Sequence, residues 1–243
     1  MKYAAITSMD PKYYWHCGKS MMYSYKKHWH GLFPLYLYNE NDFFHKVKTI
    51  RNMGWDLGEE YEKFQERHSD NDKITTFAKK GFSIIHAMEN LDCEKLIWID
   101  ADVIIQSAPP MMFFDLIAPD DVLSTHFSVW HKWPSEEDPN RMMHSCETGF
   151  FILNKKHPQF EEFMSTYKDI YVNDKSSDLR RFYDGEVYGK TVEIMEAKGA
   201  KMMNLNPGWH KTPIPRSVMA PYIKHFKAGL KDSVNFDDLV DED

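Results

Sequence analysis

Three cysteines in 243 residues, Cys17, Cys93 and Cys146, are too few and too scattered to form a disulfide framework. Their scarcity points to a reducing compartment, and a cytoplasmic protein is expected. No apolar run approaches the roughly 18 residues that a membrane-spanning helix needs. The opening "MKYAAITSMD" has one lysine and a short apolar run before Asp10, which reads as a first strand and not as a signal peptide. Basic residues are not in excess: 30 Lys and Arg stand against 37 Asp and Glu, a net charge of −7. No basic stripe appears either, which argues against nucleic-acid binding. Glycine forms no rich loop after the first strand, which argues against a dinucleotide-binding fold, a P-loop and a sugar nucleotidyltransferase. Repeats and low-complexity tracts are missing too.

What is present is a folded chain. Hydrophobic residues make up 42% and aromatic residues 15%, enough for a large core without disulfides. The length fits one α/β domain over residues 1–243, with an acidic tail, 233–243, expected to be flexible. "YAAIT" (3–7) reads as a strand broken by Pro11, residues 17–29 as a helix, and "LFPLYLYN" (32–39) as a second strand. From Lys73 to Leu91, the apolar residues Ile74, Phe77, Ala78, Phe82, Ile85 and Met88 recur every three or four positions, the mark of one helix face. Strands follow at 95–100, 121–129, 149–155 and 201–205, and helices at 158–171 and 184–198. The polar stretch 130–146, with Pro134 and Pro139, reads as a mobile loop over a site. Strands alternating with helices predict a mostly parallel sheet flanked by helices.

The stretch "KLIWIDADVII" carries the chemistry. Asp100 and Asp102 interrupt an apolar strand, where two carboxylates cost desolvation unless a cation meets them. The bare D-x-D pattern is weak and occurs three times, at Asp70/Asp72, Asp100/Asp102 and Asp241/Asp243. Only the second ends an apolar strand, and ligands of α/β sheets gather at the carboxyl ends of strands. Positions i and i+2 of a strand face one side, and Ala101 between them is small. That predicts a hard-oxygen site for Mn²⁺ or Mg²⁺ shared with substrate phosphates. The alternative is a solvated or capping pair.

"TTFAKKGFSIIHAMENLDCEKLIWIDADVII" resembles the GT-A fold glycosyltransferases, and among them the family 8 group of glycogenin and bacterial galactosyltransferase-like enzymes. The resemblance is dense only from about residue 73 to 105 and elsewhere rests on short motifs. It implies a GT-A α/β fold and transfer of a sugar from a nucleotide diphosphate sugar held through a metal ion. Thr7, Asp10 and Tyr13 fall where the family binds the nucleotide, with the Tyr13 ring stacking on uracil. Lys79 falls where the family places a donor-binding arginine, although a lysine offers a point charge and not a bidentate fork. "IKHFKAGLKD" is similar to the family's His-x-x-Gly-x-x-Lys, which implies His225 as a third metal ligand beside Asp100 and Asp102, and Gly229 and Lys231 over the diphosphate. Gly229 stands one position late.

"CETGFFILNK" resembles the family strand that opens before a Gly and ends in Asn. Glu147 there is a base, a nucleophile, a sugar-hydroxyl acceptor or an ordinary loop charge. Asp184 and Glu186, in "FYDGEVYGK", fall where the family has an acidic pair, and helix-start carboxylates are often only caps. His28 and His30 lack a further ligand, and Cys146 lacks a positioned base. The function implied is metal-dependent glycosyl transfer with retention, from a UDP-linked donor to a hydroxyl of a glycan, protein or small molecule. Two alternatives stay open: an inverting transferase on the same fold, and a non-catalytic nucleotide- or carbohydrate-binding relative.

Overall fold

The computed structural model describes residues 1–132, 138–175, 179–206, 208 and 210–226. The acidic tail, Gly229 and Lys231 lie outside the described residues. The chain opens with β1 (Tyr3–Met9), then α1 (Pro11–Tyr13), which runs through a π-helical turn at Tyr14–Gly18 into α2 (Lys19–His28). There follow β2 (Leu35–Asn39), β3 (Arg51–Gly54), α3 (Glu59–Arg67), α4 (Asp72–Asn90), β4 (Lys95–Ile99), β5 (Val103–Ile105) and α5 (Met111–Ile117). The rest is β6 (Ser124–Lys132), β7 (Met142–Asn154), α6 (Phe160–Val172), α7 (Asp184–Ala197), β8 (Met202–Asn204) and β9 (Ile223–His225).

Seven strands form one sheet in the order β3-β2-β1-β4-β7-β6-β8. The pairs β1–β2, β1–β4, β2–β3 and β6–β8 are parallel, and β7 alone runs against its neighbours β4 and β6. Both faces are covered. Leu96 and Trp98 point from β4 into one apolar cluster with residues of α4, α6 and α7, while Ile97 and Ile99 point into a second with residues of α2 and α5. This two-sided burial explains why β4 reads as an unbroken apolar run.

Two expectations need correction. The two ends of the stretch 130–146 are strand, because β6 runs on to Lys132 and β7 starts at Met142, while 133–137 lie outside the described residues. Backbone pairing such as Trp130↔His144 and His131↔Met143 holds the polar residues at those ends in a ladder whatever their polarity. The helix expected at 17–29 is preceded by helical structure from Pro11, where Asp10 caps the first turn by accepting from the Tyr13 N–H at 2.6 Å.

Strand β7 and helix α7 approach closely enough to require glycine. A Cβ on Gly185 would lie 2.5 Å from the Cys146 carbonyl oxygen, and one on Gly189 2.6 Å from the Ser145 Cα. Both obstacles are backbone, so the helix itself would have to lift. Gly189→Ala should therefore destabilise the fold by about 1–3 kcal/mol in urea unfolding, the usual cost of overpacking. Gly31→Ala, whose Cβ meets nothing within 4 Å, should stay within about 0.5 kcal/mol of the parent.

Candidate functional site

The ends of β1 and β4, the first half of β7 and the start of α7 enclose two adjoining cavities. One, of about 240 Å³, is lined by residues including Asp10, Tyr13, Glu40, Lys79, Trp98 and Ala101. The other, of about 330 Å³, is lined by residues including Val129, His131, Glu147, Thr148, Arg180 and Lys211. Tyr13, Phe77, Asp100, Asp102 and Asp184 line both, so the two spaces meet at the aspartates.

Asp100 and Asp102 do not sit within the strand as expected. β4 ends at Ile99, and the two flank a turn closed by the Val103 N–H on the Asp100 carbonyl at 3.0 Å. The turn still brings their carboxylates together. It leads into β5, which pairs antiparallel with β9, and the register Val103↔His225 carries the imidazole to the same place. Ligand atoms of Asp100, Asp102 and His225 all lie within 4.8 Å of one another. Each carboxylate is anchored through one oxygen. Asp100 Oδ1 accepts from Lys80 Nζ at 2.7 Å and Trp98 Nε1 at 2.6 Å, while its Oδ2 lies 3.8 Å from His225 Nε2. Asp102 Oδ2 accepts from the Tyr13 hydroxyl at 3.3 Å, and its Oδ1 lies 3.0 Å from His225 Nε2. Burial and the Asp102 charge push the Tyr13 phenol well above its usual range, so it stays a donor.

Lys80 is the residue that the sequence reading missed. Its ammonium contacts Asp100 at 2.7 Å, Asp184 at 2.9 Å and the Thr148 carbonyl at 2.6 Å, and lies 4.9 Å over the Trp98 ring. Burial alone would lower its pKa, but the two carboxylates raise it above the ordinary lysine value. Asp184 also accepts from the Thr148 hydroxyl at 2.6 Å. Burial pushes the Asp184 carboxyl up, and the Lys80 charge with these hydrogen bonds reverses that, leaving it below the usual carboxylate value. A signal did exist. Lys80 stands three residues after Phe77 and four before Ile84, which puts it on the inward stripe of α4.

Lys79 instead pairs with Glu40 at 2.6 Å on the wall of the smaller cavity. Burial raises the Glu40 pKa and Lys79 only partly offsets it. Thr7 is fully buried in β1, opposite Leu37, and lines neither cavity. Ala101 is buried and lines the smaller one. Glu186 lines the larger cavity, but Arg180 Nη2 holds its Oε1 at 2.9 Å and the Arg181 N–H its Oε2 at 2.6 Å, so it ties down the approach to α7. Glu147 faces His225, with Oε1 3.1 Å from Nδ1.

A second group, His126, His144 and Cys146, is buried between the sheet and α7. Ser124 and Ser128 occupy the two ring nitrogens of His126 at 3.2 and 3.1 Å, and burial holds its pKa down to about 3. Burial also pushes the Cys146 thiol well up, which removes the thiolate that a nucleophile needs. His28 and His30 join no metal-ligand group among the described residues.

No protein-family model matches the sequence, and no curated protein matches it. Solved structures do match. A glycosyltransferase involved in glycosylation of the major capsid of the virus PBCV-1 is similar over 96% of this chain and 96% of its own, with a TM-score of 0.51 at 15% identity. The glycosyltransferase GlyE of Streptococcus pneumoniae TIGR4, in its apo form, is similar over 94% of this chain, with a TM-score of 0.54 at 12% identity. The chain spans about half of GlyE, 55% of that chain. The architecture is therefore that of GT-A-like glycosyltransferases.

Removing the buried cation should expose what it holds. Lys80→Met leaves two carboxylates side by side, at a cost of about 3–5 kcal/mol in chemical denaturation at neutral pH. The pH dependence has a fixed sign. Asp184, with its depressed folded pKa, stabilises fully above the ordinary carboxylate range and loses that contribution as pH falls through its folded value. In Lys80→Met burial is no longer offset by that charge and raises the Asp184 carboxyl, so the stability deficit against the parent should be largest at neutral pH and shrink as pH falls.

Proposed function

We propose that this chain is a glycosyltransferase that uses a nucleotide diphosphate sugar, UDP-linked, and transfers the sugar to a hydroxyl of a glycan, protein or small molecule. The observation that carries this reading is the Asp100, Asp102 and His225 group at the junction of two cavities. The likeness of fold to glycosyltransferases supports it. So does the family 8 resemblance around residues 73–105, on which retention of configuration rests.

Two carboxylates and one imidazole form a donor set that suits Mn²⁺, and Mg²⁺ less well because of the nitrogen. Their grouping within 4.8 Å, with one oxygen of each carboxylate already anchored, fits a single ion. When bound, the ion supplies Lewis-acid neutralisation of charge on a departing diphosphate. The chain's own residues do the rest. In this reading the smaller cavity takes the nucleoside, with the Tyr13 ring as a stacking face and Asp10 at its rim. The larger cavity takes the transferred sugar and the acceptor. Asp184, kept ionised and oriented by Lys80 and Thr148, accepts from sugar hydroxyls there. Lys79 screens charge at the nucleoside end, and Gly229 and Lys231 belong to the segment after β9 that would meet the diphosphate. We place the protein in the cytoplasm on the strength of its three free cysteines. Among the described residues, no helix is long and apolar enough to cross a membrane.

A thermal-shift panel of nucleotide diphosphate sugars, with and without Mn²⁺, tests the reading. UDP-sugars should raise the melting temperature only when Mn²⁺ is present, because a ligand that binds the native state stabilises it by mass action. Asp102→Asn should remove that Mn²⁺-dependent shift while leaving the ligand-free transition in place. Tyr13→Ala should weaken UDP by about 1–3 kcal/mol, the worth of a base stacked on an aromatic ring. Equal UDP affinity in Asp102→Asn at matched Mn²⁺ would falsify the metal assignment. Binding without sugar transfer or slow donor hydrolysis would point to the non-catalytic relative, and an inverted product anomer to the inverting transferase.

A further inference from the structure

We infer that Glu147 is the positioning residue for His225, holding the imidazole in the tautomer that turns Nε2 toward the two aspartates. The inference rests on the proposed metal site and assigns a role that differs from base or nucleophile.

Three contacts fix the ring. Glu147 Oε1 lies 3.1 Å from His225 Nδ1 and also accepts the Gly149 N–H at 3.2 Å. Asp102 Oδ1 lies 3.0 Å from the opposite nitrogen, Nε2. Beneath the ring is the backbone of β7 at Gly149, where a Cβ would stand 2.6 Å from ring atoms Cε1 and Nδ1. Glycine is needed there so that the imidazole can lie against the strand. Both Glu147 and His225 are nearly buried, with side chains 3% and 7% exposed.

The chemistry follows from hydrogen-bond roles. A carboxylate only accepts, so the nitrogen facing Glu147 carries a proton. In neutral imidazole the other nitrogen then presents a lone pair. That lone pair faces Asp102 Oδ1, another acceptor, at 3.0 Å, and Asp100 Oδ2 at 3.8 Å. Acceptors aimed at one another repel, so Nε2 carries either a second proton toward Asp102 or a bound cation, and in both cases Nδ1–H faces Glu147. A carboxylate behind a histidine ligand, oriented in this way, fixes the tautomer and makes the nitrogen more basic.

Mn²⁺ binding by electron paramagnetic resonance, with UDP present, gives a readout separate from turnover. Glu147→Ala should raise the Mn²⁺ dissociation constant about ten- to hundredfold, the usual effect of losing such an outer carboxylate. Glu147→Gln keeps an oxygen that can accept from Nδ1–H, so its Mn²⁺ affinity and its donor hydrolysis should both stay within about tenfold of wild type. If Glu147→Ala does not fold, Glu147→Gln decides alone. Hydrolysis reduced by about a hundredfold or more, with Mn²⁺ affinity unchanged, would make Glu147 a base and overturn the inference. Wild-type Mn²⁺ affinity in a folded Glu147→Ala would overturn it too. A wild-type protein that binds no Mn²⁺ would instead defeat the metal site itself, and this inference with it.

Discussion

Two carboxylates from distant parts of the chain, Asp100 after β4 and Asp184 at the start of α7, meet on the single ammonium of Lys80. An ionised carboxylate taken out of water has a cost of several kcal/mol that only a close, well-hydrogen-bonded cation offsets. Lys80 meets that condition for both, with its third contact on the Thr148 carbonyl of β7. Four elements are thereby tied at one point: α4, β4, β7 and α7. The neighbouring geometry depends on the knot. Asp100 Oδ1 is fixed by Lys80 and Trp98, which leaves Oδ2 turned toward His225, and Thr148 and Lys80 together set the orientation of Asp184. A buried charge that stabilises little on its own can still specify which carboxylate oxygen faces a cleft.

Close backbone approach is the second constraint. Gly185 and Gly189 let α7 rest on β7, which brings the first turn of that helix to the larger cavity. Gly149 does the same for the imidazole of His225. The antiparallel direction of β7 within an otherwise parallel arrangement matters as well. It puts the strand's early residues, Glu147 and Thr148, beside the carboxyl end of β4, as the Asp100 N–H on the Gly149 carbonyl at 2.9 Å makes plain.

Much of this was legible in the sequence where a physical pattern repeats over many residues. The apolar stripe of α4 and the buried run of β4 were visible because each keeps one period over its length. Asp100, Asp102 and His225, which the motif spacing names together, do lie close to one another, although a turn and not a strand joins the aspartates. Lys79 and Lys80, adjacent on α4, differ by about 100° in direction, so the motif position alone does not tell which ammonium turns toward Asp100. The roles of Glu147 and Glu186 hang on partners far off in sequence or on side-chain direction, and no local pattern encodes either. Thr7 shows the converse: it sits two residues from the strand's end, yet its side chain is sealed inside the sheet. The hairpin of β6 and β7 was hidden because cross-strand pairing tolerates polar residues that composition assigns to loops.

The proposed function requires one cation at the aspartates where the two cavities meet. Diffraction at the manganese absorption edge, from crystals soaked in Mn²⁺ and UDP, tests that most directly. It should give one anomalous peak bonded to Asp100, Asp102 and His225 Nε2, with the uridine in the cavity lined by Tyr13 and Asp10. A peak elsewhere, or uridine bound with no manganese at the aspartates, would contradict it.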